Sequence, residues 1–333
     1  MTSSHTARAL ILICSLAALA CREEVSLGNP PWEAPPPSAP ARWCERGQDA
    51  GTFSVVGAEY GSIRAMLAEP SSGVYVVAAR DGAAGTVLQV QHGSPIVKGT
   101  VGLGPAHMAL GKDSIYVTSS QSGQVFRVYY GEPPRVESIS GRQNVGAIAA
   151  GPYGEVYWAR ATENGLIERY DFQSDRPAEV LSTWFPTALA FDGRSLYVSG
   201  QGPIIVYPAY SGQSTLPGRC DGRMLALTER DIFCADGGAI NQIRREVPYS
   251  VNTRANFPDA TVFDLVAAAG RLFFRVVPRE APSGSTRIMS MPLDVHAEPT
   301  IFATVQGDGQ FLVADKCNLY MSVGGNSIMQ WPL

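Results

Sequence analysis

The chain has 333 residues, a formal net charge of −4 and no cluster of Lys and Arg, so it lacks the basic field that gathers phosphates and nucleic acid is excluded as a partner class. Charged residues are only 17% while Gly (34) and Pro (24) are abundant, which disfavours long solvated helices and favours many short strands joined by turns. All-β is the expected class.

In chain order, residues 1–8 are short and polar with Arg8, and residues 9–20 form an apolar run that ends at Cys21, the layout of a secretory signal. Such a run rises about 18 Å as a helix, well short of the roughly 30 Å hydrocarbon core, so it reads as a signal and not a permanent span. The cleavage region Ala18-Leu19-Ala20-Cys21 resembles the lipobox of bacterial lipoproteins. That resemblance implies Cys21 as the lipidated first mature residue and membrane attachment through a lipid anchor. The box departs from the usual pattern, which more often has Leu three residues before the Cys; ordinary cleavage after Ala20 is the other reading. Arg22 in place of Asp after the Cys leans toward the outer membrane, on its periplasmic or cell-surface side. Residues 21–50 then read as lipidated Cys and linker, because Pro30, Pro31, Pro35, Pro36, Pro37 and Pro40 fix φ and remove backbone donors.

From residue 51 onward the chain repeats. The clearest copy, residues 186–202, places an apolar run before Asp192-Gly193 and a second run, Leu196-Tyr197-Val198, after it: strand, tight turn, strand. Aligned on the aromatic of the second strand, the copies put Tyr75, Tyr116, Tyr157, Tyr197, Phe233, Phe273 and Tyr320 at intervals of 41, 41, 40, 36, 40 and 47 residues. Periods near 40 with several strands per unit are the signature of a β-propeller. First strands fall at 63–67, 106–110, 145–149, 187–191, 223–227, 262–267 and 310–314. Third strands fall at 86–91, 124–129, 166–170, 204–207, 239–243, 286–291 and 327–331. Outer strands are fainter, as at 136–139, 179–183 and 301–305. The seventh unit stops at its third strand, and residues 52–56 (TFSVV) belong to no other unit. They are expected to close the ring as its fourth strand, giving a seven-bladed propeller over 51–333.

With Cys14 in the signal and Cys21 lipidated, Cys44, Cys220, Cys234 and Cys317 remain, and an exported chain should oxidise them. Position along the repeat favours Cys44 with Cys317, as a clasp on the closing strand, and Cys220 with Cys234.

The repeats resemble those of the broad superfamily of YVTN, NHL and TolB-like propellers, whose hairpins carry similar small-apolar, turn, Leu-Tyr-Val phrasing. No copy has the Gly-His and Trp-Asp pair of WD repeats. The resemblance implies fold and not activity.

Chemistry-bearing motifs are sparse. His92, His107 and His296 do not stand at metal-ligand spacing from one another or from a Cys, and the Asp-Gly pairs lack the D-x-D-x-D-G calcium pattern and read as turns. No metal site, cofactor or catalytic residue is expected. Binding is the default, on the face shared by the loops between second and third strands and those entering each first strand. The candidate residues there are Tyr60, Arg80, Asp81, His107, Asn144, Arg160, Trp184, Arg219, Asp236, Arg279, Glu280 and Asn326, a mixture of charge and aromatic area suited to a protein or glycan partner. The longest insertion on that face is 277–285. The leading expectation is a membrane-tethered, exported propeller that binds a protein or an envelope component without catalysis. Because some propellers of the superfamily are metal-dependent lactonases, the resemblance also implies an alternative, a hydrolase or lactonase with a metal at the channel mouth.

Overall fold

The computed structural model describes residues 51–69, 73–90, 95–141, 144–151, 153–160, 164–172, 174–208, 214–220, 224–246, 249–279 and 285–333. The expected signal, Cys21, the proline-rich linker and Cys44 lie outside the described residues.

Among the described residues there are seven four-stranded antiparallel sheets and no helix. A short strand β1 (Gly51–Val55) precedes the first blade, which is β2 (Ser62–Glu69), β3 (Gly73–Ala79), β4 (Ala84–Val90) and β5 (Ile96–Leu103). The second blade is β6 (Pro105–Leu110), β7 (Ser114–Ser119), β8 (Gln124–Tyr129) and β9 (Val136–Ser140); the third is β10 (Val145–Ala150), β11 (Val156–Arg160), β12 (Asn164–Asp171) and β13 (Arg176–Trp184). The fourth is β14 (Ala188–Phe191), β15 (Ser195–Ser199), β16 (Pro203–Pro208) and β17 (Ser214–Arg219); the fifth is β18 (Leu225–Leu227), β19 (Asp231–Asp236), β20 (Ala239–Arg244) and β21 (Val251–Asn256). The sixth is β22 (Ala260–Ala268), β23 (Arg271–Pro278), β24 (Ser285–Pro292) and β25 (Thr300–Gln306). The seventh is β26 (Gly309–Ala314), β27 (Asn318–Val323) and β28 (Ser327–Pro332), completed by β1. The innermost strands β2, β6, β10, β14, β18, β22 and β26 meet in that order, and β26 meets β2, so the ring is closed.

The closing strand is where the repeat places it. Gly51 pairs with Gln330 and Val55 with Ser327, and the Val56 amide continues the ladder onto the Asn326 carbonyl at 2.7 Å. Without β1 the far edge of β28 would present unpaired backbone groups. The fourth strands β5, β17 and β21 complete their blades with sequences fainter than those at 136–139, 179–183 and 301–305.

Among the described residues the hydrophobic core divides into seven clusters, and each lies between two blades. The aromatic of every second strand packs forward onto the next blade: Tyr75 beside Val117 of the second blade, Tyr116 beside Trp158 of the third, Tyr157 beside Leu196 of the fourth. Tyr197 meets Ile232, Phe233 meets Phe274, Phe273 meets Met321, and Tyr320 returns to Val74 and Val76 of the first blade. Both faces of these second strands are therefore covered, which is why they are apolar without alternation; all six residues of β7 are buried.

Polar side chains secure the same interfaces. Arg275 of β23 reaches Asp264 of β22 and the Gly309 carbonyl of the next blade, with both side chains buried. Arg254 of β21 donates to the carbonyls of Pro292 (2.9 Å), Leu293 (3.1 Å) and Val295 (2.6 Å). The hairpin turns are tied to the aromatics: Asp192 accepts from the Arg194 and Ser195 amides and from the Tyr197 hydroxyl at 3.2 Å, and Asp315 repeats this with Cys317, Asn318 and Tyr320. An Asp five residues ahead of a Tyr thus shapes the turn and satisfies a hydroxyl that burial would leave exposed to no water.

Cys220, in the passage from β17 to β18, is bonded to Cys234 in the middle of β19, with a Cα–Cα distance of 6.1 Å and both residues fully buried. Cys317, in the turn between β26 and β27, is also disulfide-bonded; its expected partner Cys44 lies outside the described residues.

Because the core exists only between blades, losing one wedge opens the wheel. Phe273→Ala should cost about 3–5 kcal/mol, measured by chemical denaturation, and removal of residues 51–55 should abolish the cooperative transition. Asp113 supplies a pH test. Burial raises its pKa, but hydrogen bonds from Ser114 and Arg127 and the Arg127 charge outweigh that and hold it below the usual carboxylate value. A depressed carboxyl contributes stability above its unfolded pKa of about 3.9 and loses it as pH falls through the folded value. The melting temperature of Asp113→Asn should therefore fall less steeply than that of the unmodified chain below about pH 4.

Candidate functional site

Antiparallel order sends the connections between second and third strands, and those leading from one blade into the next, to the same face, here the upper face. Nine of the candidate residues on it fall into three separate groups, and Arg219 and His107 stand outside them.

The first group lies where the seventh blade meets the first. Tyr60 is half-buried and packs against the cluster around Val74 and Tyr320, so much of its ring belongs to the core. Gly61, at φ +87°, lies so close to the Ala79–Arg80 peptide that a Cβ would stand 2.5 Å from the Ala79 carbonyl carbon, and this brings Tyr60 beside Arg80. Asp81 is exposed and paired with Arg64, and Asn326 is half-buried with its carbonyl spent on Val56.

Asp236 and Arg279 form the second group, between the fifth and sixth blades. Asp236 is half-buried at the end of β19, Gly237 next to it accepts from the Val262 amide, and the exposed Arg279 donates its amide to the Asp259 carbonyl at 2.9 Å. The insertion at 277–285 is partly strand: Val277 and Pro278 extend β23, Ser285 begins β24, and Glu280 lies outside the described residues. Arg219 ends β17, with its side chain outside the described residues, and His107 stands apart as an exposed residue of the innermost strand β6.

The third group has the most unusual geometry. Asn144 (exposed, φ +61°), Arg160 and Trp184 share the upper edge of the third blade: Arg160 pairs with Val145 next to Asn144, and Trp184 pairs with Asn164. Trp184 is 66% exposed, and the next residue, Phe185, is 37% exposed at φ +41°. A bulky aromatic in the left-handed region is strained and persists only where its surroundings force it. Two glycines do so. A Cβ on Gly200 would stand 2.7 Å from the carbonyl oxygens of both Trp184 and Phe185, and one on Gly165 would stand 2.2 Å from the Pro186 ring. The Trp184-Phe185-Pro186 corner is therefore pressed onto both neighbours, and its two aromatic rings remain in solvent. On the same blade, two strands away, the Arg160 Nε is buried without a hydrogen-bond partner.

Sequence reasoning found Trp184 and missed Phe185, whose conformation depends on glycines far away in the chain. It also missed Phe263, which is 40% exposed on the innermost strand β22 with the Arg275 guanidinium 5.2 Å from its ring centroid. Among the described residues no group of three or more His, Cys, Asp or Glu converges as metal ligands would.

No protein-family model and no curated protein sequence matches the chain. Solved structures resemble it in fold. Virginiamycin B lyase from Staphylococcus aureus aligns with a TM-score of 0.65 at 11% identity over 86% of this chain and 99% of that one. The WD40 repeats of RRP9 align at 0.63 and 11% identity, over 86% of this chain and 100% of theirs. A chain of the mitotic checkpoint complex aligns at 0.61 and 11% identity, over 86% and 94%. An enzyme and protein-assembly components thus share this wheel, so the likeness shows the fold alone.

The corner yields opposite outcomes for two small changes. Gly200→Ala should push Trp184 and Phe185 off their seat and lower stability by about 1–3 kcal/mol, whereas Phe185→Gly, which relieves the backbone, should leave the melting temperature unchanged or raise it.

Proposed function

We propose that this chain is an exported propeller, tethered to the outer membrane through lipid on Cys21, that binds a protein partner with the upper edge of its third blade. The observation that carries the reading is the Trp184-Phe185 corner. Two adjacent aromatic side chains stay in water on a backbone held in a strained conformation by Gly165 and Gly200. Exposed apolar area costs solubility and backbone strain costs stability, so both together mark a surface kept for contact. Trp is among the residue types most enriched in interface hot spots. Propellers of the same shape take part in protein assemblies, as the chain from the mitotic checkpoint complex does, which supports this use of the fold.

The test compares chemical crosslinking in intact cells for the unmodified chain and Trp184→Ala. A partner crosslinked to the first and reduced at least about tenfold in the second supports the reading; a partner retained at equal yield removes the corner from it. Fractionation of Cys21→Ser checks the tether separately: release into the soluble fraction is expected, and continued membrane association would eliminate lipidation at Cys21.

A further inference from the structure

A second polar surface lies on the opposite, lower side of the ring and serves none of the roles above. Between the fifth blade and the connection from β24 to β25 is a cleft of 530 Å³, lined by Asp231, Gln242, Arg244 and Asn252 on one wall and Asp294 and His296 on the other.

The strand register builds the first wall. Asp231 pairs with Arg244, Phe233 with Gln242, and Gln242 with Asn252, so these side chains share the face turned toward the sixth blade. Nearer the axis that face is apolar, with Phe233, Ala235 and Ile240 packed on Phe274 and Met291. Farther out it is polar and the blades separate. The second wall is fixed by Arg254, which lies two residues beyond Asn252 and so on the same face of β21. Its guanidinium donates to Gln242 Oε1 at 2.8 Å and to the three carbonyls of the 292–295 segment, so the loop bearing Asp294 and His296 is held at a set distance.

The lining selects a class of ligand. Two Arg and two Asp balance, so no ion of either sign is favoured by the net field. The Arg244 Nε stands 3.8 Å from Asp231 Oδ1, too far for a hydrogen bond, and Asp231 Oδ1 has no hydrogen-bond partner. Arg244 is half-exposed, with 53% of its side chain accessible, and is free to swing outward. Because Asp231 Oδ1 is itself buried, an incoming oxygen reaches it as Arg244 moves aside, and it completes the pair at about 2.8 Å from each if it donates to the carboxylate and accepts from the guanidinium. A hydroxyl does both. The amides of Gln242 and Asn252 extend the same two-way hydrogen bonding along the wall.

We propose that this cleft binds a small neutral polyhydroxyl ligand, a mono- or disaccharide, free or as the end of a glycan chain. The binding is read by saturation-transfer NMR and titration calorimetry on the full chain, with maltose and N,N′-diacetylchitobiose as free sugars and soluble starch and chitin oligomers as chain ends. Saturable binding of a sugar is expected, with a stronger signal from the oligomers if chain ends are the source. Asp231→Asn and Arg244→Ala should each weaken it at least about tenfold, while Trp184→Ala leaves it unchanged. If Asp231→Asn fails to fold, Asn252→Ala, exposed at the mouth, substitutes for it. Absence of binding by all four probes, equal displacement by inorganic phosphate or glutamate, or affinities unchanged in the variants would overturn the proposal. Since Trp184 takes no part, either reading can fail without the other.

Discussion

The forward packing of one aromatic per blade is the interaction on which the rest depends. A four-stranded blade is too thin to bury both its faces, so each buries one against the blade behind and one against the blade ahead. Tyr75, Tyr116, Tyr157, Tyr197, Phe233, Phe273 and Tyr320 are all placed on the forward side. Among the described residues no blade holds a core of its own. The seam between last and first blades is thus not a special join: Tyr320 does there what Tyr75 does one blade further on. What is special is the strand beside it, because β1 comes from the other end of the sequence and its ladder with β28 holds the seam shut.

Charged side chains reinforce these seams where the apolar layer runs out. Arg254 and Arg275 each span two blades and are nearly buried, and each has a carbonyl or carboxylate to receive its donors. A guanidinium suits this position because its planar fork serves several carbonyls at once.

The fold was legible because its strongest constraint recurs. A second strand covered on both faces admits almost only apolar residues, and a tight turn before it admits Asp and Gly, so each copy carries the same phrase. The closing strand and the Cys220–Cys234 pair could be read for a related reason: a leftover strand and an incomplete blade had to meet, and Cys220 lies just ahead of the strand paired with the one that holds Cys234. The fainter fourth strands face solvent on one side. In β21 only Arg254 is buried, and in β5 the buried set includes Lys98, so neither shows a clean apolar period. The site was less legible. Trp184 stood out as a large aromatic at a strand end, whereas the strain at Phe185 arises from Gly165 and Gly200, residues that meet it only after folding. The lower cleft gave no signal at all, since Asp231, Arg244 and Asn252 are ordinary strand-end polar residues until the register aligns them with the neighbouring loop.

The direction of β1 carries a consequence for how the wheel is presented. Gly51 is level with Gln330, near the end of β28, and the strand runs toward Val56 and the Asn326 carbonyl before β2 begins. The closing strand therefore enters the wheel at the pole opposite Trp184. The aromatic corner and the lower cleft accordingly lie at opposite ends of the closing strand, so that a contact made at one leaves the other uncovered.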